Sequence, residues 1–141
     1  MALFFAQNCE EFCRLNRDIR TPETGGFVNF VGRVRQFNHN KEVALLFYEA
    51  HTTLSKKMFD SLEKTARERF SMVQCHAVHR LARVEVSEDA VSIATLAAHR
   101  REAFLAAEYL IDQLKRTLPI WKKEVYADGS YAWGQHCCDA V

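Results

Sequence analysis

HRREAFLAAEYLIDQLKRTLPIWKKE, residues 99–124, sets a long helix directly against a strand. Ala103, Phe104, Ala107, Leu110, Ile111 and Leu114 share one helical face, which predicts a helix from about Arg101 to Leu118 that Pro119 ends. Beyond Pro119 the stretches Ile120 to Tyr126 and Tyr131 to Trp133 read as strands around a turn at Asp128-Gly129.

Working outward, Gln74 to Arg80, Ala82 to Val86 and Ala90 to Leu96 read as three short strands, with Ser87-Glu88-Asp89 as the last turn. Before them Leu54, Met58, Leu62, Ala66 and Phe70 recur every four positions, an amphipathic helix from Thr53 to Phe70 that Thr52 or Thr53 would cap. Phe27 to Arg35 and Val43 to Ala50 read as strands joined by a polar loop over Asn38-His39-Asn40-Lys41, and they could pair as a hairpin. A short helix from about Asn8 to Arg17 and a loop over Thr21 to Gly26 complete the pass. The expectation is one α+β domain over residues 1–141, with a mainly antiparallel sheet and two main helices.

A chain of 141 residues can bury one real core, and 48% hydrophobic with 26% charged residues fits a compact fold. A net charge of +1 supplies no global field for nucleic acid or an anionic membrane. No apolar run approaches the ~18 residues of a bilayer span, and the N-terminus lacks a basic region, so a cytoplasmic protein is expected. Five cysteines, at 9, 13, 75, 137 and 138, show no disulfide spacing. Cys9 and Cys13 would share a helix face, and His136-Cys137-Cys138 could complete a metal site, but buried small hydrophobes explain free cysteines equally well.

Four places could carry chemistry. Strand alternation puts Arg33 and Arg35 on one face, about 7 Å apart, a pair suited to an anion, with Gly32 beside them allowing close approach. His99-Arg100 stands where a strand meets the long helix, so free backbone N–H groups and the helix dipole favour a negative ligand there. Lys115 falls at the edge of the apolar stripe, where partial burial favours the neutral amine, although a lysine whose head snorkels to solvent gives the same pattern. Asp112, one turn back, could compensate its charge. In Trp121-Lys122-Lys123-Glu124, alternation separates Lys122 and Glu124 from Trp121 and Lys123, so only one lysine can face a given pocket. Together these give a cationic site without a serine nucleophile elbow or a glycine-rich nucleotide loop.

The ordered set Phe30-Val31-Gly32-Arg33-Val34-Arg35, Tyr48-Glu49-Ala50, His79-Arg80, His99-Arg100 with Ala103-Phe104, Asp112-Gln113-Leu114-Lys115, Pro119-Ile120-Trp121-Lys122-Lys123-Glu124 and Asp128-Gly129 with Trp133 resembles the large, catalytic subunit of molybdopterin synthase, the MoaE family. The resemblance implies an α/β hammerhead fold, no cofactor or metal, and a homodimer of large subunits. A ubiquitin-like small subunit would sit at each end, giving a heterotetramer. The small subunit's C-terminal thiocarboxylate would donate sulfur to cyclic pyranopterin monophosphate and build the molybdopterin dithiolene. The family roles fall on Lys115 and Lys122 as catalytic lysines, and on Arg35, His99 and Arg100 for phosphate and pterin, with Arg33, Val34, Lys123 and Glu124 as neighbouring contacts. The family usually has glycines where this chain has Ala82 and Ser87, and small residues where it has Arg101-Glu102.

Three rivals stand beside this reading. A non-catalytic scaffold that binds the carrier would not need both Lys115 and Lys122. A Schiff-base enzyme would use the same Lys115 on a small carbonyl substrate. A nucleic-acid binder is disfavoured at this charge without an aromatic stacking motif.

Overall fold

The computed structural model describes residues 2–135. Twelve elements follow one another: β1 (Leu3–Ala6), α1 (Cys9–Leu15), β2 (Gly26–Arg33), β3 (Phe37–Asn38), β4 (Lys41–Ala50), α2 (Thr52–Phe70), β5 (Met72–Arg80), β6 (Ala82–Glu85), β7 (Asp89–Ala97), α3 (Arg100–Thr117), β8 (Ile120–Tyr126) and β9 (Tyr131–Gln135). The architecture is α+β and mainly antiparallel; among the described residues only the β1–β5 pair is parallel.

Two sheets divide the strands. The first runs β1-β5-β7-β2; the second runs β3-β4-β8-β9 with β6 on β4. The expected β2–β4 hairpin is therefore not made: β2 pairs antiparallel with β7, Phe30 opposite Ile93, and β4 pairs with β8 and β6. The reason is burial. Strand β7 is buried along almost its whole length and needs a neighbour on each side, which β5 and β2 supply. The stretch read as a polar loop is instead a two-residue turn between β3 and β4, with His39 and Asn40 both at positive φ (51° and 62°), the backbone of a tight hairpin. Strand β1 also went unread, its four residues giving too short a pattern.

Phe59, Leu110, Leu114, Ile93 and Ile120 are fully buried, so α2 and α3 pack their apolar faces into the same core as the strands. Within the helices, details depart from the pattern. Leu54 is exposed and Phe59 takes the core position on α2, while Phe104 on α3 is 61% exposed and Ala106 is buried in its place. The cap of α2 is His51, whose Nδ1 accepts the Leu54 N–H at 3.1 Å, and not Thr52 or Thr53. Asn8 caps α1 through the Glu11 N–H at 2.9 Å. Cys75 is buried, but Cys9 and Cys13 are exposed, so the buried-hydrophobe explanation holds for Cys75 alone of these three. His136, Cys137 and Cys138 lie outside the described residues.

Ala82, the first residue of β6, and Ser87, two residues beyond its end, both adopt left-handed backbone, φ 63° and 72°. A Cβ in that region costs about 1–2 kcal/mol, so glycine is the unstrained residue at both positions. Ala82→Gly is expected to stabilise the fold by about 1 kcal/mol, raising the midpoint of thermal unfolding by a few degrees. A lowered midpoint would show that the Ala82 methyl packs usefully enough to outweigh its backbone strain.

Candidate functional site

One cavity, about 390 Å³, lies between the two sheets and the end of α3. Its lining includes Arg33, Val34, Arg35, Lys115, Lys122 and Glu124. Lys115 arrives from the last turn of α3 and Lys122 from the third residue of β8, after a connection of only Leu118 and Pro119. Leu118 caps the helix with extended backbone and donates its N–H to the Leu114 carbonyl at 3.2 Å, and Pro119 cannot continue the helix.

Strand parity then decides which lysine faces inward. Lys122 and Glu124 are buried at 9% and 8% exposure, whereas Trp121 and Lys123 stand on the opposite face. Lys123 lies 4.3 Å from the Tyr131 ring centroid and 5.8 Å from that of Trp133. The structure therefore does not bring Lys123 into the cavity. Lys122 Nζ sits 3.1 Å from Glu124 Oε1, in a pair whose side chains are barely exposed. Lys115 is half-buried, and Asp112 is exposed.

The two arginines do not form the parallel pair that alternation predicts. Strand β2 ends in an irregularity between Gly32 and Arg33, so Arg33 turns to Asp89, Nε to Oδ1 at 2.7 Å. Arg35 lies beyond the strand and donates from Nη2 to Asn38 Oδ1 at 3.3 Å. Val34 is buried and exchanges backbone hydrogen bonds with the turn before β7, anchoring the segment that carries both arginines.

His99 and Arg100 stand at the start of α3, as the sequence indicates, and His99 makes no side-chain cap bond. They line a different cavity, about 470 Å³, with Gly25, Ala98 and Arg101. Gly25 and Gly26 make that junction possible. A Cβ on Gly26 would stand 2.9 Å from the Arg100 Cα, and one on Gly25 2.7 Å from the Ala98 carbonyl oxygen. Within this chain the His99–Arg100 pair and the two lysines thus line separate cavities.

Beneath the lysine cavity lies a residue to which the sequence assigned no role. His79 is fully buried; its Nδ1–H donates to the Arg80 carbonyl at 2.7 Å, and its ring stands nearly perpendicular to that of Tyr48, a cavity-lining residue, with centroids 4.9 Å apart. Burial, with a smaller contribution from the Lys115 charge, lowers its pKa to about 4, so the imidazole is neutral. Asn38 and Tyr126 also went unread. Asn38 donates to Glu124 Oε1 at 2.7 Å and the Tyr126 hydroxyl donates to Oε2 at 2.7 Å. Parity could have found Tyr126, two residues beyond Glu124 on the same strand face; Asn38 read only as turn chemistry. Among the described residues, no group of three or more His, Cys, Asp or Glu could hold a metal ion.

The description MoaE protein fits residues 7–117 of this chain as a family model. The chain belongs to the MoaE family. A molybdopterin synthase catalytic subunit from Pyrococcus abyssi is 36% identical over 124 residues, covering 88% of this chain and 82% of the relative. The crystal structure of molybdopterin synthase from Staphylococcus aureus superimposes with a TM-score of 0.79 at 28% identity, covering 96% of each chain. A chain in the complex of subunits 1 and 2 of molybdopterin-converting factor from Helicobacter pylori shares the fold, with a TM-score of 0.70 at 21% identity over 94% of this chain and 89% of that one. The family model stops before Lys122, whereas the structural match covers 96% of the chain.

Proposed function

We propose that this MoaE-family chain is the catalytic subunit of a molybdopterin synthase. It transfers sulfur from the thiocarboxylated C-terminus of a ubiquitin-like small subunit to cyclic pyranopterin monophosphate, forming the dithiolene of molybdopterin. The observation that carries the reading is the convergence of Lys115 and Lys122, from two different elements, on one cavity that also holds Arg35. Carrier tail and substrate phosphate are both anions, and fixed cations in a partly dry cavity hold such groups and stabilise charge that develops during acyl transfer.

The two lysines suit different tasks. Lys122, paired with Glu124, is a held cation suited to stabilising a developing oxyanion. Lys115, half-buried at the helix end, is the residue placed to act on the carrier's terminal carbonyl, as nucleophile or as proton donor. Arg35 fits the phosphate, with Arg33 and Val34 shaping the same wall. His99 and Arg100 would bind phosphate or pterin from the second cavity.

We further propose that the working unit is a homodimer carrying two small subunits. Phe27 and Phe30 are exposed on edge strand β2, and Phe104 and Leu105 in the first turns of α3, and a second chain would cover them. Among the described residues no helix is long and apolar enough to cross a membrane, and the free thiols of Cys9, Cys13 and Cys75 accord with a reducing cytoplasm.

The test is to mix the protein with a thiocarboxylated small subunit and cyclic pyranopterin monophosphate and to follow molybdopterin as its fluorescent oxidised pterin. Product is expected only when both proteins are present. Carrier binding without product would favour a scaffold instead.

A further inference from the structure

We propose that Asn38 and Tyr126 are positioning residues of the sulfur-transfer site: together they clamp the Glu124 carboxylate, and the clamped carboxylate fixes the Lys122 ammonium in the cavity. The inference rests on the reading of Lys122 given above and adds two residues to it.

The geometry is closed on both oxygens of Glu124. Oε1 receives Lys122 Nζ at 3.1 Å and Asn38 Nδ2 at 2.7 Å, and Oε2 receives the Tyr126 hydroxyl at 2.7 Å. Burying an ion pair is favourable only when the remaining lone pairs are also satisfied, because desolvation otherwise exceeds the mutual attraction. Here the lysine and glutamate side chains are only 11% and 10% exposed, so the extra donors answer a need set by the burial itself.

The clamp also explains how a lysine can be a fixed charge. A lysine stem has four rotatable bonds and a glutamate three, so a lone pair of this kind could swing together toward solvent. Tyr126 is on the same face of β8 as Lys122 and Glu124, four and two residues along, and its ring lies under Lys41 Nζ at 4.7 Å. Asn38 comes from the other side, on the tight β3–β4 hairpin. Glu124 is therefore gripped from two elements.

Asn38 has a second connection. Its Oδ1 accepts from Arg35 Nη2 at 3.3 Å while its Nδ2 donates to Glu124, so one amide links the arginine that faces the anion to the carboxylate that holds the lysine. An aspartate at 38 would keep the acceptor and lose the donor. It would also set one carboxylate against another, and tie Arg35 into an ion pair.

The experiment uses the full-length protein with its thiocarboxylated small subunit and compares wild type, Lys122→Ala, Tyr126→Phe and Asn38→Asp. Steady-state turnover and thermal unfolding are measured on each. Tyr126→Phe is expected to lower kcat per folded molecule about tenfold with KM for the carrier nearly unchanged, and to lower the unfolding midpoint by several degrees because one buried Glu124 lone pair loses its donor. Asn38→Asp is expected to lower kcat at least as much and to raise KM for the pterin, because Arg35 is drawn away. A merely structural role would lower the midpoint and leave kcat per folded molecule intact, which overturns the proposal. Wild-type kcat in both variants, with Lys122→Ala inactive, overturns the clamp and leaves the site reading standing. Activity retained in Lys122→Ala removes the site reading, and the clamp with it.

Discussion

Lys115→Ala is expected to cut product formation by about 10²–10³-fold, the scale on which losing one pre-placed charge or donor slows acyl transfer. The fold should survive. Lys115 is half-buried on the last turn of α3, the neighbouring core contacts come from Leu110, Ile111 and Leu114, and alanine favours helix. Circular dichroism and the unfolding midpoint should therefore match wild type while turnover collapses. Near-normal turnover would remove Lys115 from the mechanism. Lys122→Ala is a less clean probe, because it strands the buried Glu124 carboxylate without its cation and mixes lost catalysis with lost stability.

The second large effect is on stability. His79 is neutral in the folded protein with a pKa of about 4, against 6.5 for the ordinary side chain. The unfolded chain thus binds a proton that the folded one refuses. Stability is fully present above the unfolded value and is lost as pH falls from there through the folded value. This group alone should make the protein about 2 kcal/mol less stable at about pH 5 than at about pH 7.5. Denaturant unfolding at the two pH values should show the difference. His79→Gln should lose that increment of pH sensitivity whatever its baseline stability, and an unchanged pH slope in the variant would assign the acid lability to other groups.

The two residues also interact: the Lys115 charge contributes to lowering the His79 pKa. Lys115→Ala should accordingly relieve part of the acid sensitivity, a small shift measurable in the same unfolding series.

Much of this arrangement is legible in the chain because it depends on local periodicity. The helix ending at Pro119 and the alternation that sets Lys122 and Lys123 on opposite faces are properties of neighbouring residues, and the structure reproduces them, whereas the packing of β8 decides which of the two faces the cavity and excludes Lys123. Pairing is different. Strands β2 and β4 follow each other in sequence but enter different sheets, because the buried β7 takes β2 as its neighbour and nothing within residues 27–50 announces β7. The arginine pair failed for a related reason: alternation holds only while the strand lasts, and β2 stops at Arg33. Capping by His51 escaped because a ring nitrogen does the work of the expected threonine. The Asn38–Glu124 bond joins residues 86 apart, a distance at which periodicity carries no information.

The connection between α3 and β8 makes the spacing of the two lysines a matter of odd and even. One residue inserted at Leu118–Pro119 would leave Lys115 in place but advance β8 by half a pleat. Lys123 would then point into the cavity, Glu124 would move to the outer face, and the pair that anchors the inward lysine would be lost. Length variation between the two lysines should therefore be tolerated only in steps of two, whereas the Asp128-Gly129 turn, seven residues downstream of Trp121, has no such constraint from the cavity. In directed evolution of this scaffold, insertions belong in that distal turn.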